Sequence, residues 1–76
     1  MTREADAQVA YTVGRRLAAA RLAAGLSQGD VARACGVGQG AVSRWESGDR
    51  LLTLADLSRY AEAVGVEPGG LLPPRP

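Results

Sequence analysis

The stretch SQGDVARACGVGQGAVSRWESG, residues 27–48, decides the fold. Ser27 is a favoured helix N-cap, and Asp30 stands three residues on, where a carboxylate suits the positive end of a helix dipole. Val31, Ala32 and Cys35 then recur at helical spacing. Gly36 follows as a stop that tolerates positive φ. The pattern predicts a helix over 28–35, a connector at Val37 and Gly38, and a second helix over 39–47 ended by Gly48. Val42 and Trp45, three apart, share the buried face of that second helix. Gln39, Gly40, Ser43 and Arg44 lie on the opposite side.

Two short helices joined by a turn containing glycine form a helix-turn-helix unit. Two helices that cross closely need a small side chain at the crossing, and Ala32 supplies one. Upstream, Val9, Val13, Leu17 and Ala20 fall three or four apart and predict a helix over 9–24, with Gly25 as its stop. Downstream, Thr53 with Asp56 repeats the N-cap signature and opens a helix running to Val64, with Leu54, Leu57, Ala61 and Val64 as its apolar stripe. Glu67-Pro68 starts a fifth, short turn carrying Leu71 and Leu72. Pro73, Pro74 and Pro76 forbid continuation. Residues 1–8 are expected to be a frayed arm, 9–72 one domain with the helix-turn-helix at about 28–47, and 73–76 a proline-rich tail.

With 76 residues the chain has room for one domain and a thin core. Cys35 is the single cysteine and histidine is absent, so neither an internal disulfide nor a tetrahedral metal site is expected. The fold must stand on helix packing, with dimerisation as further support. No apolar run approaches the roughly 20 residues that span a bilayer, and no signal peptide is apparent. A lone thiol suits a reducing interior, so a cytoplasmic protein without membrane contact is expected. Formal net charge is +1, but it is unevenly distributed. Arg15, Arg16, Arg21, Arg33, Arg44 and Arg50 concentrate positive charge in residues 13–50, while both flanks are net negative. Catalysis has no support, since no nucleophile has a base beside it and no phosphate loop follows a strand.

The run Gly25-Leu26-Ser27-Gln28, Val31-Ala32, Cys35-Gly36-Val37 and Val42-Ser43-Arg44-Trp45-Glu46-Ser47-Gly48 resembles the Cro/C1-type helix-turn-helix family, also called the xenobiotic response element family. Val13-Gly14-Arg15-Arg16-Leu17 with Arg21 is similar to the family's first helix. Leu57, Ala61, Val64-Gly65-Val66 and Leu71-Leu72 are similar to its last two. The resemblance spans roughly residues 10 to 72 and implies a compact, all-α, five-helix domain like lambda repressor, with the third helix in the major groove of double-stranded DNA. It places Gln39, Gly40, Ser43 and Arg44 on the base-reading positions. Arg44 suits guanine O6 and N7, and Gln39 suits adenine N6 and N7. Gln28, at the start of helix two, is a phosphate candidate, as are Arg15, Arg16 and Arg50. The resemblance also implies a structural ion pair between Arg21 and Glu46. Two positions depart from the family: Gly38 lacks the capping hydroxyl often found there, and Gly40 costs the recognition helix about 1 kcal/mol against Ala.

Weighed against plainer roles, Trp45 is core filler rather than a base-stacking platform, Cys35 is a small buried hydrophobe, and Arg33 is a solvated side chain. Tyr11 and Tyr60 receive no role. The reading is a sequence-specific regulator, a repressor or autoregulator, that binds a short palindromic operator as a homodimer. Val66, Leu71 and Leu72 form its expected dimer patch. No cofactor or small-molecule ligand is expected. The alternative is a protein-interaction adaptor on the same scaffold, such as an antitoxin or regulator-binding module, for a protein partner the sequence does not name.

Overall fold

The computed structural model describes residues 3–73. Helix α1 runs Arg3–Ala23, α2 Gln28–Cys35, α3 Gln39–Ser47 and α4 Leu54–Val64, and a single 3-10 turn spans Pro68–Leu71. The regular structure of the described residues is thus helical throughout, with four α-helices and no strand. The expected count of five is corrected. Pro68 starts the last turn, but Gly69 and Gly70 follow it, and two glycines lack the propensity to extend one turn into an α-helix.

Helix α1 begins at Arg3, not at Val9. Residues 4–8 carry no apolar stripe, so periodicity does not reveal them. They do carry Glu4 and Asp6 in the first turn, where the helix dipole favours negative charge, and two alanines. The frayed arm expected for residues 1–8 is therefore corrected to helix from residue 3. Residues 1, 2 and 74–76, including most of the expected proline-rich tail, lie outside the described residues.

The ends of α2 follow their sequence signals. Ser27 Oγ accepts from the Asp30 N–H at 3.0 Å, and Asp30 Oδ2 accepts from the Ser27 N–H at 2.8 Å. This reciprocal box satisfies two donors that a helix start leaves unpaired. The Ser27 backbone N–H first, then the Ser27 side chain and Arg33, hold the Asp30 carboxyl below the usual carboxylate range. Gly36 adopts φ 70° and ends the helix with its N–H on the carbonyls of Ala32 and Arg33. Helix α3 is preceded by Gly38, which supplies no side-chain cap.

Helix α3 packs between α1 and α2, α4 packs on α2, and the last turn is held by α1 and α4. The core joins Val13 and Leu17 of α1, Val31, Ala32 and Cys35 of α2, Val42 and Trp45 of α3, Leu57, Tyr60, Ala61 and Val64 of α4, and Leu71. Trp45 and Tyr60 meet edge to face, with ring centroids 6.5 Å apart. Helices α1 and α3 approach tightly at Gly14. A Cβ there would stand 2.5 Å from the carbonyl oxygen of Glu46 and 2.7 Å from that of Trp45. Only a residue without a side chain lets the two backbones meet at that distance.

Leu71 is 1% exposed and belongs to this core. Its expected place in a dimer patch is corrected: the 3-10 turn points Leu71 inward and leaves Leu72 outside. Val66 and Leu72 remain exposed, as do Leu51 and Leu54 around the start of α4.

Candidate nucleic-acid interface

The outward face of α3 follows from its inward one. Val42 and Trp45 are buried, so Gln39, Gly40, Ser43 and Arg44, which lie round the opposite side of a 3.6-residue helix, are all exposed. Arg44 makes no ion pair among the described residues. Its guanidinium is a fork of donors on the face that carries an amide and a hydroxyl.

Beside this face runs an open groove of about 520 Å³, lined by Arg15, Ala18, Ala19 and Leu22 of α1, Gln28 of α2, and Ser43, Glu46 and Ser47 of α3. Arg15 and Gln28 thus stand at the edge of the α3 surface, in position to flank whatever α3 touches. Arg15 lies over the ring of Tyr11, 6.0 Å from its centroid. The start of α2 also brings the positive end of its dipole to the residue, Gln28, that lines this groove.

Gln28 has a second attachment. Its Nε2 donates to Glu46 Oε1 at 3.1 Å. That bond uses one amide hydrogen and fixes the side chain at the groove edge, leaving the other hydrogen for an outside acceptor. Glu46 is the hub. Arg21 donates to it through Nε at 2.8 Å and Nη2 at 3.0 Å, and Tyr60 donates its hydroxyl at 2.6 Å. Burial pushes the Glu46 carboxyl up, but the bonds from Arg21, Tyr60 and Gln28 outweigh it and hold the carboxyl below the usual range. Burial, then the Glu46 bond and charge, pushes the Tyr60 phenol far up. Arg21 also donates Nη1 to the Leu26 carbonyl at 3.0 Å, tying down the α1–α2 turn. The network therefore sets the angle between α1, the start of α2, and α3.

Tyr60 gains its role only through the packing of α4. Its residue type and its place in α4, outside the expected apolar stripe, give no sign that its hydroxyl reaches α3. The phosphate role of Arg16 is corrected. Successive helical residues point about 100° apart, so Arg16 faces away from Arg15 and donates Nη1 to the Gly70 carbonyl at 3.2 Å. It holds the last turn to α1. Arg50, in the loop after α3, and Arg15 are exposed. Arg33 is exposed and ion-paired to Asp30.

A helix-turn-helix family model, HTH_3, matches residues 17–71, which takes in α2, α3 and α4 complete. The chain belongs to this family. Its Cro/C1-type members are DNA-binding transcription regulators. Among solved structures, the restriction-modification controller protein C.AhdI from Aeromonas hydrophila is 34% identical, with a TM-score of 0.78 over 82% of this chain and 94% of that one. The hypothetical transcription factor NHTF from Neisseria is 29% identical, with a TM-score of 0.80 over 87% of this chain and 76% of that one. HppE in its apo form is 28% identical with a TM-score of 0.80, but the match covers 37% of that chain; it shows the fold of one part of a larger protein. The family and its regulators suggest that this chain is not an enzyme. No curated protein matches in sequence. Among the described residues no helix is long and apolar enough to cross a membrane.

Proposed function

We propose that this regulator binds a short palindromic operator in double-stranded DNA as a homodimer, acting in the cytoplasm as a repressor or autoregulator. The observation that carries the reading is the exposed row Gln39, Gly40, Ser43 and Arg44 on α3, with Arg44 outside every ion pair among the described residues and Arg15 and Gln28 at its edge. Such a row suits base edges in the major groove, and its flank suits phosphate. Gln39, Gly40, Ser43 and Arg44 are the base-reading set; Arg15, Gln28 and Arg50 are the phosphate set. One such helix reads only a few base pairs. Two half-sites about 34 Å apart, one helical turn, give the necessary length. Val66 and Leu72, exposed after α4, are the side chains offered to a second copy. The likeness to C.AhdI, itself a restriction-modification controller, supports the regulator reading.

The test is the salt dependence of affinity for duplex DNA, with the stoichiometry of the complex. Neutralised phosphates release counterions, so log K falls steeply and linearly with log salt, and substitution of Arg15 or Arg50 lowers the slope by about one. Two chains per duplex are expected. A flat salt response would remove the DNA-binding reading, and one chain per specific site would remove the dimer.

A further inference from the structure

Gly40 is the oddity of α3, since it weakens the helix and offers a base no side chain. Its surroundings give it a purpose. A Cβ built on Gly40 would stand 3.3 Å from Arg44 Nη1 and, beyond its chain neighbours and the backbone of its own helix, meet nothing else within 4 Å. The guanidinium of Arg44 therefore lies back over the helix, one turn towards its N-terminus, above the place where residue 40 has no side chain. Long helical side chains lean in that direction, and four residues is the spacing that stacks one over another.

Helix α2 contains the same arrangement with a different outcome. A Cβ on Gly29 would stand 3.7 Å from Arg33 Nη1, so Arg33 also lies back over a glycine four residues earlier. There Asp30 takes the guanidinium in an ion pair. On α3 the residue three before Arg44 is Ala41, and no carboxylate pairs with Arg44 among the described residues. One arginine is held back and neutralised; the other is held back and keeps its charge for an outside partner.

We propose that Gly40 is a specificity-determining residue that acts by its vacancy: it seats the Arg44 guanidinium at the N-terminal half of α3, where that fork reads a guanine. The inference rests on the DNA-reading function proposed above and adds how one base pair is chosen. The N-terminal residues of a recognition helix are those that reach base edges, and Arg44 lies beyond the middle of α3, which ends at Ser47. Lying back brings its fork to that end, where two parallel donors match O6 and N7 of guanine. A side chain at position 40 would occupy the same space and push the fork away. Alanine would require it to give by a few tenths of an ångström; glutamine would displace it.

The test is a matrix of affinities for every single-base-pair variant of a duplex selected by the wild-type chain, measured for wild type, R44A, G40A, G40Q and the G40Q/R44A double variant. R44A should flatten the preference at one base pair per half-site, a loss of about 10–100-fold in discrimination. G40Q should flatten the same base pair, G40A less so, and the double variant no more than R44A alone, because both changes remove one contact. Melting temperatures of G40A and G40Q should equal or exceed wild type, which excludes misfolding as the cause. Full wild-type preference in G40Q at the base pair that R44A flattens would overturn the proposal. So would an R44A variant that keeps preference everywhere. If the wild-type chain selects no duplex, the regulator reading itself falls, and this inference with it.

Discussion

At Glu46 four hydrogen bonds converge on one carboxylate, two from Arg21 and one each from Gln28 and Tyr60. The side chains of Glu46 and Arg21 are 6% and 12% exposed, so water can replace little of what each charge would lose. Removing one member of a buried pair strands the other. Glu46→Ala should therefore destabilise the domain by about 3–5 kcal/mol, a large share of the stability of so small a fold; thermal melting would show it, and an unchanged midpoint would refute the hub. Because the folded Glu46 carboxyl is held below its ordinary value near 4.5, its contribution is present above that value and is lost as pH falls through the lower, folded one. Urea midpoints should hold steady down to about pH 5 and then decline, and decline less in Glu46→Gln. Arg21 and Glu46 are visible as partners in the sequence only through a family resemblance. Nothing in the sequence joins Tyr60 or Gln28 to them, because these four residues come from four helices and their meeting depends on how the helices pack.

Element boundaries are the most legible part of the sequence, because they are set locally. Ser27 with Asp30, and Thr53 with Asp56, announce the starts of α2 and α4. Both hydroxyls accept the backbone N–H three residues on, at 3.0 and 3.1 Å. Ser27→Ala should cost about 1 kcal/mol in chemical denaturation, with the core contacts otherwise untouched. The start of α1 is not legible, because its first turns carry no periodic apolar signal. Nor is the importance of Gly14. A glycine inside a helix looks like a mere weakness until the neighbouring helix is known, and here the neighbour is the backbone of α3, 2.5 Å from where a Cβ would stand. Gly14→Ala should gain helix propensity and still lose about 1–3 kcal/mol through overpacking. A melting temperature at or above wild type would mean that α1 moves aside freely. Leu71 and Arg16 mislead for the same reason, since each is committed to the packing of the 3-10 turn by contacts between residues far apart in sequence.

For the whole molecule, formal net charge +1 is a poor guide, because six arginines fall in residues 13–50 while the flanks are acidic. The fold gives that segment a direction. Arg21 is consumed by Glu46, Arg33 by Asp30 and Arg16 by the last turn. Arg15, Arg44 and Arg50 remain for an external anion, Arg44 on the outer face of α3 and Arg15 beside it. The candidate DNA surface is thus largely visible from residue spacing on α3, while its limits are not, because only packing tells an available arginine from a spent one. The central claim is that this face of α3 chooses a DNA sequence, and selection of duplexes from a random pool by wild type and by R44A tests it most directly. Wild type should enrich a palindrome with half-sites one helical turn apart, and R44A should lose one conserved base pair from each half-site. Enrichment of the same palindrome by both proteins, or of no sequence by wild type, would contradict the account.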